Sequence, residues 1–312
     1  MILDLAILAV AFVVALAAYP ALISGLQRLR VGQVIQAELS GDHQRKAGTP
    51  TGGGILFIGA GIAAGLLAAR NHPGAVAPTA ALVLYGGLGL IDDVAKLRNG
   101  SVGLPARFKF PLQVGFAVPI VILATVQQHP IRIDMIHHWW YWPLAVVAVV
   151  GAANAVNLTD GLDGLAGGLA AIAILGTTFL LPGVPSFGER AVALSLTGAV
   201  LAFVVYNRHP AQVFMGDTGA LGLGAALSAM AIQQGWVLLL LLLGLVFALE
   251  TASVILQVGY FKATGGRRLF KMTPIHLTFQ LEGWSEKRIA LAFWCAGAAA
   301  AVASGWIAHS LL

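Results

Sequence analysis

The sequence has 312 residues, of which 58% are hydrophobic and only 10% are charged, and its formal net charge is +5. Because soluble domains carry about 25% charged residues, this composition excludes a soluble globular protein and predicts a polytopic membrane protein. The positive charge suits anionic lipid headgroups and phosphorylated substrates, and no segment resembles a nucleic-acid-binding module.

Apolar segments of membrane-spanning length recur along the whole chain. A helix needs roughly 20 mostly apolar residues to cross the hydrocarbon core of a bilayer. This pattern predicts one all-α integral membrane domain over residues 1–312, with ten spanning helices and no separate soluble domain. The predicted spans cover approximately residues 2–26, 52–69, 76–91, 107–126, 141–156, 164–181, 190–206, 219–233, 236–261 and 288–310.

The basic residues fall mainly on alternate loops between these spans. Of the 18 lysines and arginines, all but Arg70, Arg132 and Arg190 lie in one set of loops. Because cytoplasmic loops carry the excess of positive charge, this set is predicted to be cytoplasmic, and both termini to lie outside.

The second span is preceded by a glycine-rich run at residues 46–54, which also holds a lysine, a proline and two threonines. Free N–H groups and the helix dipole favour anions at a helix N terminus. The run indicates either a phosphate site, with Lys46 and Thr51 as candidate ligands, or the ordinary start of a membrane helix.

Two adjacent carboxylates, Asp92 and Asp93, end the third span. Lys96 lies one helical turn beyond Asp92 on the same face, and Lys109 opens the fourth span. Both lysines are candidate phosphate ligands. The alternatives are a local ion pair for Lys96 and contact with lipid headgroups for Lys109.

The fifth span ends in a run of two carboxamides and two carboxylates, Asn154, Asn157, Asp160 and Asp163. Charged side chains at bilayer depth are costly, so acids at the ends of spanning segments usually serve an ion or a substrate. This run is therefore a candidate binding site at the membrane face.

A third acidic position, Asp217, precedes the eighth span. In the predicted topology all three acidic clusters lie on the cytoplasmic side, where they would repel one another without a compensating cation. Mg²⁺ typically binds one or two carboxylates together with waters and substrate phosphates. The pattern predicts a Mg²⁺–diphosphate site, and the alternative is that these acids cap helices or pair with basic side chains.

The last long polar loop, residues 262–288, holds His276, which could donate to a diphosphate oxygen or simply be solvated. Phe214 is a candidate stacking platform for a base, with interfacial anchoring as the alternative. Glu250 lies inside the ninth span, and its cost in that position predicts that it faces other helices.

Together these motifs resemble those of the polyprenyl-phosphate N-acetylhexosamine 1-phosphate transferase superfamily. The runs at residues 92–96 and 154–164 match patterns of the whole superfamily. Motifs of its muramoyl-pentapeptide branch lie at residues 210–217, 250–258, 273–276 and 283–284. The resemblance extends from Lys46 to Trp294 and so covers nearly the whole chain.

The resemblance implies a Mg²⁺-dependent transferase in a bacterial inner membrane. In this branch undecaprenyl phosphate attacks the β-phosphate of UDP-MurNAc-pentapeptide, which releases UMP and forms lipid I for peptidoglycan synthesis. Members often form homodimers. Two other interpretations stay open, a sibling transferase that uses UDP-GlcNAc and a non-catalytic paralogue. A secondary transporter is disfavoured because its polar residues would lie at the bilayer midplane.

The resemblance also implies residue roles. Asp217 would be the Mg²⁺ ligand, Asp92 and Asp93 would handle the lipid phosphate or surround the metal, and His276 would join them in catalysis. The phosphate environment would include Lys46, Thr51, Lys96, Lys109 and His276. The nucleotide pocket would include Asn157, Asp160, Asp163, Asn207, Phe214 and Gln257, with Asn154 as a further substrate-binding candidate.

Two positions depart from the pattern of the branch. Three consecutive histidines are usual where this chain has His276, Leu277 and Thr278, and a serine is usual at Ala220. Both changes lie around the implied diphosphate and metal, so they concern the polar network there rather than the class of reaction.

Overall fold

The computed structural model describes residues 2–29, 48–99, 102–127, 138–183 and 185–312, so the predicted phosphate ligand Lys46 lies outside the described residues. The architecture is all-helical, as the composition predicts. In chain order the helices are α1 (Ile2–Arg28), α2 (Gly54–Ala69), α3 (Val76–Arg98), α4 (Ala106–Val126), α5 (Tyr141–Thr159), α6 (Leu165–Phe179), α7 (Phe187–Asn207), α8 (Gly216–Gln233), α9 (Leu240–Leu243), α10 (Leu245–Ala263), α11 (Ile275–Leu281) and α12 (Glu286–Ser310). Within the described ranges the one β-type pairing is an isolated bridge between Thr51 and Phe214.

Each predicted span coincides with helical structure, although the lengths differ. Seven helices of the described chain are long and apolar enough to cross a membrane, namely α1, α3 together with the preceding 3₁₀ turn (Pro73–Ala75), α4, α5, α7, α10 and α12. The apolar helices α2 and α6 are shorter. The predicted span 236–261 is divided at Gly244, which ends α9 and precedes α10. The chain is therefore a multi-pass helical membrane protein.

Helix α8 lies at the centre of the bundle, where it packs against α2, α3 and α5. Every residue from Asp217 to Gln233 is buried, so protein rather than lipid surrounds this helix. Its sequence is rich in Gly and Ala, and small residues allow membrane helices to approach closely.

Two glycines show how close these approaches are. At Gly89 of α3, an added Cβ would collide with the backbone carbonyl of Asp217, and at Gly224 of α8 it would collide with the backbone of Ala152. Gly87, in contrast, faces open space. The acidic end of α3 is therefore held directly against the N terminus of α8.

The turn before α8 is fixed to the start of α2 by backbone hydrogen bonds. The N–H of Phe214 donates to the carbonyl of Pro50 at 2.8 Å, and the N–H groups of Gly52 and Gly53 donate to the carbonyl of Phe214 at 3.0 and 2.8 Å. Gly216 has a φ of +72°, which favours glycine. The C-terminal ends of α3 and α5 and the N-terminal ends of α2, α4 and α8 thus meet at one end of the bundle.

Candidate active site

Asp217, in the first turn of α8, accepts hydrogen bonds from three other helices. Lys96 Nζ of α3 donates to its Oδ1 at 2.7 Å, and Asn157 Nδ2 of α5 donates to the same oxygen at 3.1 Å. Lys109 Nζ of α4 donates to Oδ2. The structure therefore brings together four residues that are far apart in the sequence and that were each predicted as site residues.

Asp92 shares both of these lysines with Asp217. Its Oδ2 lies 2.8 Å from Lys96 Nζ and 3.4 Å from Lys109 Nζ, and its Oδ1 accepts the N–H of Leu104 at 2.7 Å. The side chains of Lys96 and Lys109 are 38% and 18% exposed, whereas that of Asp92 is 2% exposed. We call Asp92, Lys96, Lys109 and Asp217 the acid–lysine cluster. Its lysines form the side that an anionic ligand can approach.

Asp93 has different partners from its neighbour. Its Oδ1 accepts the N–H of Asp217 at 3.0 Å, and its Oδ2 accepts the N–H and the hydroxyl of Thr218 at 2.9 and 2.7 Å. Free N–H groups at a helix N terminus favour a carboxylate. Asp93 therefore caps α8 and fixes the backbone of Asp217.

Asn154 lies one turn before Asn157 and joins α5 to α4. Its Nδ2 donates to Gln113 Oε1 at 2.9 Å, and Gln113 Nε2 donates back to Asn154 Oδ1 at 3.3 Å. Gln113 follows Lys109 by four residues, one turn along α4. This carboxamide pair fixes the helix that carries Lys109 relative to the helix that carries Asn157.

A second polar group links Asp163 to two residues that sequence reasoning did not select, His209 and Glu286. His209 Nδ1 lies 3.0 Å from Asp163 Oδ2 and 3.7 Å from Glu286 Oε2, and the N–H of Asp163 donates to Glu286 Oε2 at 3.3 Å. The ligand atoms of the three side chains lie within 4.8 Å of one another, so this group could hold a metal ion. Asp217 is not a member of it.

Several predicted nucleotide residues organise the surrounding loops. Asn207 is buried, accepts the N–H of Gly164 at 2.9 Å and donates to the carbonyl of Val213 at 2.8 Å. It thereby joins the loop after α5 to the loop before α8. Asp160 caps the C terminus of α5 and is half-buried. Phe214 is also half-buried, and its backbone pairs with the start of α2.

Gln257 of α10 binds the loop that follows its own helix. Its Oε1 accepts the N–H groups of Leu269 and Phe270, both at 2.9 Å, and its Nε2 donates to the carbonyl of Phe270 at 3.1 Å. The carboxamide of Gln257 thus makes three hydrogen bonds, all to the backbone of this loop. These hydrogen bonds give Gln257 a role in fixing the loop.

His276 pairs with Glu250, the buried glutamate of α10. Its Nδ1 lies 3.2 Å from Glu250 Oε1, and its N–H donates to Glu250 Oε2 at 3.4 Å. The prediction that Glu250 faces other parts of the protein is confirmed, although its partner could not be named from spacing alone. Contact between the two depends on how α11 folds back against α10.

Comparison with known proteins identifies the family of the chain. The family model for glycosyl transferase family 4 matches residues 75–235, a range that includes the acid–lysine cluster. A phospho-N-acetylmuramoyl-pentapeptide-transferase of Listeria monocytogenes serotype 4b (strain CLIP80459) is 40% identical over 315 residues, 95% of each chain. Proteins of the same name from Lactiplantibacillus plantarum (strain ATCC BAA-793 / NCIMB 8826 / WCFS1) and Bacillus cereus (strain AH187) are 42% and 40% identical, over 94% and 92% of each chain.

Proposed function

This chain belongs to glycosyl transferase family 4, among the phospho-N-acetylmuramoyl-pentapeptide-transferases, and we propose that it performs this transfer at the acid–lysine cluster. The substrates are UDP-MurNAc-pentapeptide and undecaprenyl phosphate, and the products are lipid I and UMP. The observation that carries the proposal is that Lys96 and Lys109 bridge Asp92 and Asp217 where four helices meet. Diphosphate transfer needs such a set of fixed charges.

The predicted Mg²⁺ fits Asp217 better than it fits the group around His209. Asp217 and its neighbour Asp92 offer only carboxylate oxygens, which Mg²⁺ prefers. The group of Asp163, His209 and Glu286 contains an imidazole, which suits transition metals. Asp217 would therefore hold the ion, with Asp92 beside it. When bound, Mg²⁺ supplies charge neutralisation at the diphosphate.

The two lysines orient the reactants and stabilise the charge that moves during the reaction. An oxygen of undecaprenyl phosphate forms a bond to the β-phosphorus, and the bond from that phosphorus to the bridging oxygen breaks. UMP leaves with this oxygen and its electron pair. Lys96 and Lys109 are partly exposed, so they can exchange a carboxylate partner for a phosphate oxygen.

A strong general base is not required at this site. A phosphate monoester has a second pKa near 6 and is therefore mostly ionised at pH 7 before it binds. Asp92 is already ion-paired with Lys96, which suits a role in positioning the lipid phosphate and its surrounding lysines.

Ten spanning helices with both termini outside remain the proposed topology. The seven long helices and the two shorter apolar ones, together with the buried α8, supply this number. The basic loops, and with them the acid–lysine cluster, would then face the cytoplasm of a bacterial cell, where nucleotide-linked sugars are made. We also propose a homodimer in the membrane, as the resemblance of the sequence implies.

UMP release measures this function directly. The purified protein in detergent is given undecaprenyl phosphate, Mg²⁺ and either UDP-MurNAc-pentapeptide or UDP-GlcNAc. We expect UMP only with the muramoyl substrate. Release with UDP-GlcNAc alone would assign the chain to a sibling transferase, and no release with either donor would make it a non-catalytic paralogue.

A further inference from the structure

Gln113 is a buried polar residue of α4 that lies outside the acid–lysine cluster. Its exposed fraction is 1%, and the helix that carries it is long and apolar enough to cross a membrane. A carboxamide in such a place is costly unless its hydrogen bonds are made within the protein. The partners of Gln113 therefore indicate what this residue does.

Gln113 joins α4 to the helices on both sides of it. Its side chain exchanges two hydrogen bonds with Asn154 of α5, at 2.9 and 3.3 Å. Its backbone carbonyl accepts the hydroxyl of Tyr85 of α3 at 2.6 Å, and Tyr85 is fully buried. Three helices are thus fixed to one another at a single residue.

The same three helices surround the carboxylate of Asp217. Each of them donates one hydrogen bond to it, from Lys96 of α3, Lys109 of α4 and Asn157 of α5. Gln113 follows Lys109 by one helical turn, and Asn154 precedes Asn157 by nearly one turn. The carboxamide pair therefore lies one turn away from the contacts of Lys109 and Asn157 with Asp217.

A reciprocal carboxamide pair is suited to hold two helices in register. Apolar contacts are non-directional, whereas a hydrogen bond weakens steeply when its distance or angle changes. A slip of α4 by one residue along its axis would move Lys109 by about 1.5 Å, and it would break both bonds between Gln113 and Asn154. The pair thus opposes the displacement that would carry Lys109 away from Asp217.

We propose that Gln113 is a positioning residue that acts through Lys109. By pairing with Asn154 it holds α4 in register with α5, so that the amine of Lys109 reaches Asp217 and the diphosphate. Asn154 then supports the site through Gln113 and does not bind the substrate itself. The proposal rests on the function given above, because Lys109 serves the transfer reaction there.

A double-mutant comparison of UMP release tests the proposal. Gln113→Met keeps the length of the side chain but removes both of its hydrogen bonds. We expect kcat to fall about 100-fold, as displacement of a reacting group by about 1 Å can cause, with a much smaller change in KM for both substrates. Added to Lys109→Ala, the same change should lower kcat no further, since residues that act as a unit are not additive. A double variant that shows the product of the two single losses overturns the proposal.

Exchange of the two carboxamides provides a rescue experiment. Gln113→Asn shortens the pair by one methylene group and Asn154→Gln lengthens it by one, so each change alone should lower kcat. The double exchange restores the summed length, and we expect it to regain most of the lost activity. A double exchange as slow as the slower single variant overturns the proposal. The comparison of Gln113→Met with Lys109→Ala decides the question should the exchanged pair fail to fold.

Ser228→Ala is the matched control for loss of a buried hydrogen bond to α5. Ser228 is fully buried in α8, about three helical turns beyond Asp217, and its hydroxyl donates to the carbonyl of Ala148 at 3.0 Å. We expect this variant to keep wild-type kcat even where thermal unfolding shows a loss of stability. An equal fall of kcat in Ser228→Ala and Gln113→Met would show a general effect of packing and overturn the proposal.

A spectroscopic measurement separates this proposal from the proposed function. Reductive methylation with ¹³C-formaldehyde labels the lysine amines and keeps their charge, and Lys109→Arg identifies the signal of Lys109. We expect this signal to shift in Gln113→Met and to keep its position in Ser228→Ala. An unchanged signal in Gln113→Met overturns the positioning role. A wild type that releases no UMP, but whose Lys109 signal shifts in this way, would overturn the proposed function alone.

Discussion

Asp93 caps the helix that carries Asp217, since its Oδ1 accepts the N–H of Asp217 at 3.0 Å. Its neighbour Asp92 instead contacts Lys96 and Lys109. Adjacent residues of an α-helix point about 100° apart, so one acidic pair supplies two different functions. Asp93 fixes the backbone position of Asp217, and Asp92 joins the charges around its side chain.

Replacing Asp93 should therefore lower stability as well as activity. For Asp93→Ala we expect a loss of about 1–2 kcal/mol in the free energy of unfolding, as for other lost caps, together with a fall in kcat because Asp217 is displaced. Asp92→Asn should lower kcat with little change in stability, because its lysine partners are partly exposed. Thermal unfolding in detergent and UMP release measure the two effects. Wild-type stability in Asp93→Ala would show that Asp93 acts on the reactants and not on the helix.

The lysines and the metal should compete for the same carboxylate. Lys109 Nζ donates a hydrogen bond to Oδ2 of Asp217, and Asp217 is the side chain to which we assign Mg²⁺. For Lys109→Ala we expect half-maximal activity at a lower Mg²⁺ concentration than in the wild type, because Asp217 is no longer paired with this lysine. We also expect kcat to fall about 100-fold, because a charge that stabilises the transition state is lost.

A titration of UMP release with Mg²⁺ separates these two effects of Lys109→Ala. Arg107→Ala is the control, because Arg107 is on the same helix but lies over the ring of Phe108, 5.0 Å from its centroid; its titration should match that of the wild type. An unchanged or higher Mg²⁺ requirement in Lys109→Ala would show that the lysine does not compete with the ion.

The close approach of α3 to α8 should be sensitive to a single methyl group. Gly89→Ala places a Cβ against the carbonyl of Asp217, and we expect a loss of about 1–3 kcal/mol in stability, as for other overpacked sites, with a fall in kcat. Gly87→Ala is the control on the same helix, since its Cβ meets no atom within 4 Å. Equal stability of the two variants by thermal unfolding would contradict this packing.

Composition, hydropathy and charge were enough to predict the all-helical class and the helix at each span, because these depend on local sequence. They also predicted that the acidic clusters at Asp92, Asp217 and residues 154–164 converge on one membrane face. The structure brings Asp92 and Asp217 together, whereas Asp163 of the third cluster pairs with His209. Charged groups at the ends of membrane helices are costly unless they are paired, which is why charge alone indicated contacts between distant helices but could not name each partner.

Residues in loops were harder to assign, because their contacts depend on how distant segments fold together. Spacing could not show that Asn207 and Gln257 fix backbone loops, or that His276 pairs with Glu250. His209 follows Asn207 by two residues, and Glu286 starts α12 next to Ser285. In the sequence, both have the appearance of ordinary surface positions.

The activity of Asp217→Asn across a Mg²⁺ titration tests the central claim most directly. Asparagine keeps the shape and an acceptor for Lys96 or Lys109 but removes the charge that would hold the ion. We expect a folded protein whose kcat for UMP release is about 1,000-fold lower at every Mg²⁺ concentration, the upper range for loss of one group that stabilises a transition state. Turnover near the wild-type rate, with wild-type Mg²⁺ dependence, would contradict the assignment of the reaction to the acid–lysine cluster.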